Sequence, residues 1–230
     1  MDKEPLHINL TQPALFNFSQ TTRGAVELFP EVWSAMEDMI ASKPSRRHTG
    51  LDRLLKLNAP RLSSLVTYLL ATRIIDADLT VRVRVIRIIG DVCSPDERGR
   101  SVSDSVKDAL SGYLAQIDAG QVFCLIQASI FDPSIFSHIS RIINYCPNAA
   151  THLSDILMDR KATLEERRQA AELIGRVGFL ESLPTLERLH TRLAARLRGQ
   201  QSMPFAPPPT PDEAELLPAV EKALGLLQSR

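Results

Sequence analysis

Residues 78–92, DLTVRVRVIRIIGDV, admit two periodicities, and only one survives the whole stretch. Read as a strand, Val81, Val83 and Val85 share a face, but the next member of that face is Arg87, and Ile86 and Ile88 fall opposite. The alternation fails there. Read as a helix, Val81, Val85, Ile88, Ile89 and Val92 fall within an arc of about 100°, Ile86 extends it, and Arg84, Arg87 and Asp91 lie opposite. Asp78 supplies an N-cap and Asp76 lies just upstream. The stretch is a helix, and tertiary packing must override its β-branched residues.

One arginine does not fit the solvated side. Arg82 sits at the edge of the apolar arc, between Ile89 and Ile86. The same departure recurs in TLEERRQAAELIGRVG (163–178), where Ala170, Leu173, Ile174 and Val177 form the stripe and Arg167 projects on that side. Each of these arginines precedes a glycine, Gly90 or Gly175, by eight residues. A third copy is RRHTGLDRLLKL (46–57), where Arg47 shares a side with Leu51, Leu54 and Leu55, and Leu55 takes the glycine slot.

Internal repetition therefore organises the chain. The pattern of an Asp, then Val-Arg, then small or aliphatic residues leading to Leu/Ile-Gly resembles the second helix of a HEAT repeat. DLTVRVRVIRIIGDV and LEERRQAAELIGRVG carry that resemblance, and the helices expected before them, APRLSSLVTYLLATRIID (59–76) and NAATHLSDILMDR (148–160), fit the first helix of such a pair. LPTLERL (183–189) and LPAVEKAL (217–224) echo each other 34 residues apart. The resemblance implies an all-α fold, a short right-handed α-solenoid of HEAT-like helix pairs.

Prolines and caps punctuate this pattern into about eleven helices, at 25–41, 45–57, 60–75, 78–93, 102–117, 120–131, 133–145, 148–160, 163–177, 182–198 and 212–228. Residues 101–146 lack an arginine–glycine pair and are either degenerate repeats or a local insertion. The domain reading is a flexible N-terminal segment over 1–22, helical repeats over 23–198, a Pro-rich linker over 199–211 carrying Met203 and Phe205, and a capping helix over 212–230.

Composition agrees with helices. Aromatic residues make up 5% of the chain, too few for a typical sandwich or barrel, while 44% of the residues are apolar. Formal net charge is zero, so no global field draws the chain to nucleic acid or an anionic membrane. No apolar run reaches the roughly 18 residues that span a bilayer, and the N-terminus lacks the apolar region of a secretory signal. Cys93, Cys124 and Cys146 are odd in number and widely spaced, which reads as reduced thiols in a cytoplasmic protein.

Catalytic signatures are not found in the sequence. The histidines show no metal spacing, and Cys146 with His152 and His138 reads as three unrelated helix positions. No phosphate-binding Gly-rich loop or nucleophile elbow is present. The expectation is no catalytic, metal or cofactor site. Arg47, Arg82 and Arg167 are expected between adjacent repeats, with Asp76, Asp78 and Asp159 as candidate partners. The HEAT resemblance, with its Asp/Arg ladder, implies the same. Arg188, Arg192 and Arg196, four apart, form one basic face on a helix whose Leu186, Leu189, Leu193 and Leu197 point inward. Trp33 is read as a core residue.

These features point to a non-catalytic scaffold or adaptor that binds another protein through its solenoid surface. HEAT-like DNA glycosylases and HEAT-like bilin lyases are alternative readings. The neutral charge and single tryptophan count against the first. Repeat spacing and the lack of visible attachment chemistry count against the second.

Overall fold

The computed structural model describes residues 29–202 and 211–229. The segment 1–22 and the linker residues Met203 and Phe205 lie outside that range. Caps and prolines decide where each helix begins. α1 (Pro30–Met39) and α2 (Pro44–Lys56) open on proline, whose missing amide costs nothing in a first turn. α3 (Ala59–Leu62) and α4 (Ser64–Thr72) follow, and α4 runs into a 3-10 turn, Arg73–Ile75. α5 (Leu79–Val92) starts on Asp78, whose carboxylate accepts the amides of Thr80 and Val81, each at 3.0 Å.

α6 (Asp104–Leu114) precedes α7 (Ala119–Phe131), which opens on a reciprocal capping box between Asp118 and Gln121. A 3-10 turn (Pro133–Ile135) leads into α8 (Phe136–Ile143), followed by α9 (Ala149–Met158). α10 (Leu164–Val177) has a second capping box, Thr163 with Glu166, and stops at Gly178, whose φ of 93° is open to glycine. α11 (Leu183–Ser202) and α12 (Pro211–Gln228) complete the twelve α-helices. Among the described residues there is no strand. α11 continues through Ser202, into the stretch read from sequence as linker.

The span 60–75, expected as one helix, is divided at Ser63. Its backbone is extended (φ −119°, ψ 122°), and its side chain accepts the Val66 amide at 3.1 Å. The break leaves the Pro60 carbonyl without its helical amide, and the Thr67 hydroxyl donates to it at 2.6 Å.

Consecutive helices pair: α1 with α2, α4 with α5, α7 with α8, α9 with α10, and α11 with α12. The second members also touch in series, α2 on α5, α5 on α8, α8 on α10 and α10 on α12. α6 packs chiefly against α4, outside that series. Within residues 101–146, α6 packs on α4, and α7 touches α5, α8, α9 and α10.

The glycines mark where the row is tightest. A Cβ on Gly90 would lie 2.4 Å from the His138 Cβ of α8, and one on Gly175 would lie 2.8 Å from the Ala223 Cα of α12. On α2 the close approach falls at Gly50, where a Cβ would meet the Ala35 carbonyl oxygen at 2.7 Å. Leu55 was expected in that slot. It is 43% exposed instead, because α2 turns Leu51 and Leu54 inward. Trp33, expected in the core, is 50% exposed: α1 buries Val32, Ala35 and Met39 on its inner side, and Trp33 falls off that arc.

Polar and charged contacts link neighbouring helices. Arg84 pairs with Asp52 between α5 and α2, and His138 Nε2 lies 3.1 Å from Asp91 between α8 and α5. The Arg176 guanidinium sits 5.6 Å from the Phe136 ring centroid between α10 and α8, and Lys222 meets Glu172 at 2.9 Å between α12 and α10. Exposed pairs of this kind contribute about 0–1 kcal/mol each, so apolar burial carries the stability.

Candidate functional site

Arg47, Arg82 and Arg167 share one device. Each stands in the first turn of the second helix of a pair and reaches back to carbonyls at the end of the first. The Arg47 Nη1 donates to Ala41 O and Ser42 O, both at 2.8 Å. Arg82 Nε donates to Asp76 O at 2.8 Å, and Arg167 Nε to Leu157 O at 2.9 Å. Helix C-termini leave carbonyls without partners, and a guanidinium fork satisfies them.

Arg47 and Arg82 also reach the next element. Arg47 Nη2 donates to Asp76 Oδ1 at 2.9 Å, with both residues buried, and Arg82 Nη1 donates to the Cys124 carbonyl of α7 at 3.4 Å. The acids differ in role. Asp76 receives Arg47 and the Asp78 amide on the same oxygen; Asp78 caps α5; the Asp159 carboxylate accepts the Lys161 amide at 2.8 Å. The Thr80 hydroxyl and the amides above hold the Asp78 carboxyl below its ordinary range.

The basic face of α11 is less free than its spacing suggests. Arg188 turns back on its own helix, donating to Pro184 O at 3.2 Å and to Thr185 Oγ1 at 3.4 Å. Arg192 is half-buried beside Asp155 and Met158 in a hollow of about 460 Å³, and Arg196 is exposed.

A larger hollow, about 720 Å³, opens at the loop between α5 and α6 and includes Arg61, Asp91, Asp96, Arg98 and Arg141. Its cations mostly anchor the loop. Arg61 donates to the carbonyls of Asp91, Ser94 and Arg100, and Arg100 pairs with Asp96 at 2.8 Å. Backbone amides and that guanidinium hold the Asp96 carboxyl below its usual range. The hollow is built to fix a loop.

A different surface stands out on α7. Its residues 119–131, AGQVFCLIQASIF, contain no charged side chain. Val122, Leu125, Ile126, Ala128 and Ser129 are buried, while Gly120, Phe123, Cys124, Gln127, Ile130 and Phe131 are half-buried or exposed. At 100° per residue that second set spans an arc of about 120°, one side of the helix. Phe131 is 54% exposed.

α4 contains no charged residue, and it exposes Tyr68. The Tyr68 and Tyr113 rings meet edge to face, centroids 5.7 Å apart, and the Tyr113 hydroxyl accepts from Gln121 Nε2 at 3.1 Å, linking α4, α6 and α7. Burial, reinforced by Tyr68, pushes the Tyr113 phenol up. The 3-10 turn Arg73–Ile75 packs against α7, exposes Ile75, and holds Arg73 half-buried with its Nε buried and unbonded.

Cys124 lies on this face, apart from the other two thiols. Burial pushes both Cys93 and Cys146 up to about 12, so they stay protonated. The sequence signal for the face was the charge-free run 119–131 within the segment that broke the repeat pattern. Among the described residues, no group of His, Cys, Asp and Glu side chains could hold a metal ion, and no single helix is long and apolar enough to cross a membrane. Compared with protein-family models, curated proteins and solved structures, the chain matches none.

Proposed function

We propose that this chain is a non-catalytic, HEAT-like α-solenoid that binds another protein, and that α7 presents the docking face. The contacts of α2 on α5, α5 on α8, α8 on α10 and α10 on α12 support the solenoid reading. The observation that carries the function is the uncharged outer side of α7. The outer sides of α5 and α10 carry Arg84, Arg87, Arg168 and Glu172, whereas α7 carries no charged residue, exposes Phe131 and leaves Phe123 and Ile130 partly buried against the core. Apolar area removed from water is worth about 25 cal/mol per Å², and a contiguous patch marks an interaction site. The proposal places the protein in the cytoplasm, where its free thiols remain reduced.

The test is affinity retrieval from native extract, with wild type beside Phe131→Asp and an Arg188→Glu/Arg192→Glu variant. The proposal expects a stoichiometric protein that Phe131→Asp loses and the α11 variant keeps. Loss with the α11 variant alone would move the interface to the basic face.

A further inference from the structure

We infer that His48 makes the joint between the first helix pair and α5 sensitive to mild acid, a device independent of what docks on α7. The neutral ring ties α2 to α5, and a proton on the ring releases that tie.

His48, half-buried on α2, bonds two side chains of α5. Arg84 Nη1 donates to the ring Nδ1 at 2.8 Å, and Thr80 Oγ1 lies 3.0 Å from Nε2. A guanidinium donates and never accepts, so Nδ1 carries no proton and the neutral ring bears its hydrogen on Nε2. Nε2 therefore donates to the Thr80 hydroxyl, which in turn donates to Asp78 Oδ1 at 2.6 Å. Donor meets acceptor at each step from Arg84 to His48 to Thr80 to Asp78, and that order requires a neutral ring.

A proton breaks the order at one point. It falls on Nδ1, where it faces the N–H of Arg84 and sets two cations against each other. The acids beside the ring are already engaged. Asp78 accepts the Thr80 hydroxyl and the amides of Thr80 and Val81, and Asp52, one turn on from His48, accepts Arg84 Nη2. A charged ring competes with Arg84 for Asp52, so each route loosens Arg84 from α2. α2 also packs against α1, which carries Glu31, Glu37 and Asp38, and against α3, whose one charge is Arg61. Asp38 is held by Arg46 and Arg53, Arg61 is held by loop carbonyls, and none of the four bonds His48 in the interactions described.

Two other histidine bridges respond in the opposite sense. His138 Nε2 faces Asp91 at 3.1 Å between α8 and α5, and His190 Nε2 faces Glu221 at 3.3 Å between α11 and α12. A proton on either ring completes an ion pair, so mild acid tightens those crossings while it loosens the one at α2. The buried Arg47–Asp76 pair contains no imidazole and keeps α2 attached to the start of α5. Asp38 keeps α1 on α2 through Arg46 and Arg53. The first pair therefore pivots as a unit on Arg47.

The test uses the isotope-labelled full chain across the range in which imidazoles change charge, from about pH 8 to about pH 5.5. At the upper end the imidazole nitrogen spectrum of His48 should show a protonated Nε2 and a bare Nδ1. Amide-exchange mass spectrometry, corrected for the intrinsic pH dependence of exchange, should show protection in α2 and the first turn of α5 falling at least threefold toward the lower end, with α10 unchanged. The side-chain amide in His48→Gln offers Arg84 an acceptor and Thr80 a donor at every pH, so this variant should keep its protection. Arg84→Gln should keep it too, because its amide oxygen can face the charged ring. Thermal unfolding shows whether each variant folds; where His48→Gln does not, Arg84→Gln and the wild-type spectrum decide.

A protonated Nδ1 at the upper end would overturn the inference. So would wild-type protection that does not change with pH, or an equal loss in wild type and the variants.

Discussion

The guanidinium of Arg47, on α2, meets the carboxylate of Asp76, just before α5, at 2.9 Å, and both residues are almost wholly removed from water. The pair joins one helix pair to the next, while the same guanidinium closes the turn between α1 and α2 through Ala41 and Ser42. Removing one partner of a buried pair leaves the other charge uncompensated, at a cost of about 3–5 kcal/mol. Arg47→Ala and Asp76→Ala should each lower Tm by on the order of 10 °C. The Arg47→Met/Asp76→Leu double variant should lose much less, because apolar replacement of a whole pair is often close to neutral. Thermal unfolding of the three variants checks this.

Arg82 makes no carboxylate pair in the interactions described; its acceptors are the carbonyls of Asp76 and Cys124. Hydrogen bonds from a charged donor contribute about 1.5–3 kcal/mol. Arg82→Ala should therefore destabilise less than Arg47→Ala, and urea unfolding gives the order. Equal stability of Arg82→Ala and wild type would remove the clasp from the account.

Glycine position separates contact from conformation. Gly90→Ala forces a methyl against His138, and Gly175→Ala forces one against Ala223, so each should cost about 1–3 kcal/mol. Gly112 and Gly225 have nothing within 4 Å of an added Cβ, and alanine there should stabilise by about 0.5–1 kcal/mol. Paired denaturation curves for the two groups should move in opposite directions.

Acid should loosen the first helix pair only as pH falls below the ordinary carboxylate range. The Asp38 carboxyl bonds Arg46 at 2.6 Å and Arg53 at 3.1 Å, and these guanidinium groups, Arg46 first, hold it below its ordinary value of 3.8. Its folded value lies below its unfolded one. The stabilisation is therefore complete above that ordinary value and is lost as pH falls through the folded value. Asp38→Asn should flatten the decline in stability below about pH 4. Urea midpoints measured from pH 6 to pH 2 on both proteins show whether it does.

The thiols should react in a set order. Cys93 and Cys146 are pushed up to about 12 by burial, whereas Cys124 lies on the outer side of α7. Iodoacetamide at neutral pH should label Cys124 first, since the thiolate is the nucleophile. Peptide mass spectrometry over a time course reads the order directly.

Much of the helical framework was legible because periodicity, prolines and caps act locally. Asp78 was readable as a cap, and it opens α5 by bonding amides two and three residues on, whereas the capping boxes at Asp118 and Thr163 emerge only in the structure. The division at Ser63 was hidden because APRLSSLVTYLLATRIID keeps its apolar period across it, while the cause is a serine cap and a threonine bond to Pro60. Trp33 was misplaced because one aromatic residue does not reveal which side of a terminal helix is covered. The arginine–glycine spacing identified two tight crossings, but Gly50 escaped it, since its neighbour is a carbonyl of α1 and not a helix of the next pair. The α7 face was least legible. An apolar run looks the same whether both of its sides are buried or one is kept for a partner, and only the arrangement around α7 separates the two.

The most direct test of α7 as docking face is a photo-crosslinking amino acid at position 127, in the middle of the uncharged side, compared with one at position 188 on α11. In native extract the account predicts one saturable protein adduct from position 127, abolished by Phe123→Asp in the same chain, and none from position 188. An adduct from position 188 alone, or one from position 127 that persists with Phe123→Asp, would contradict it.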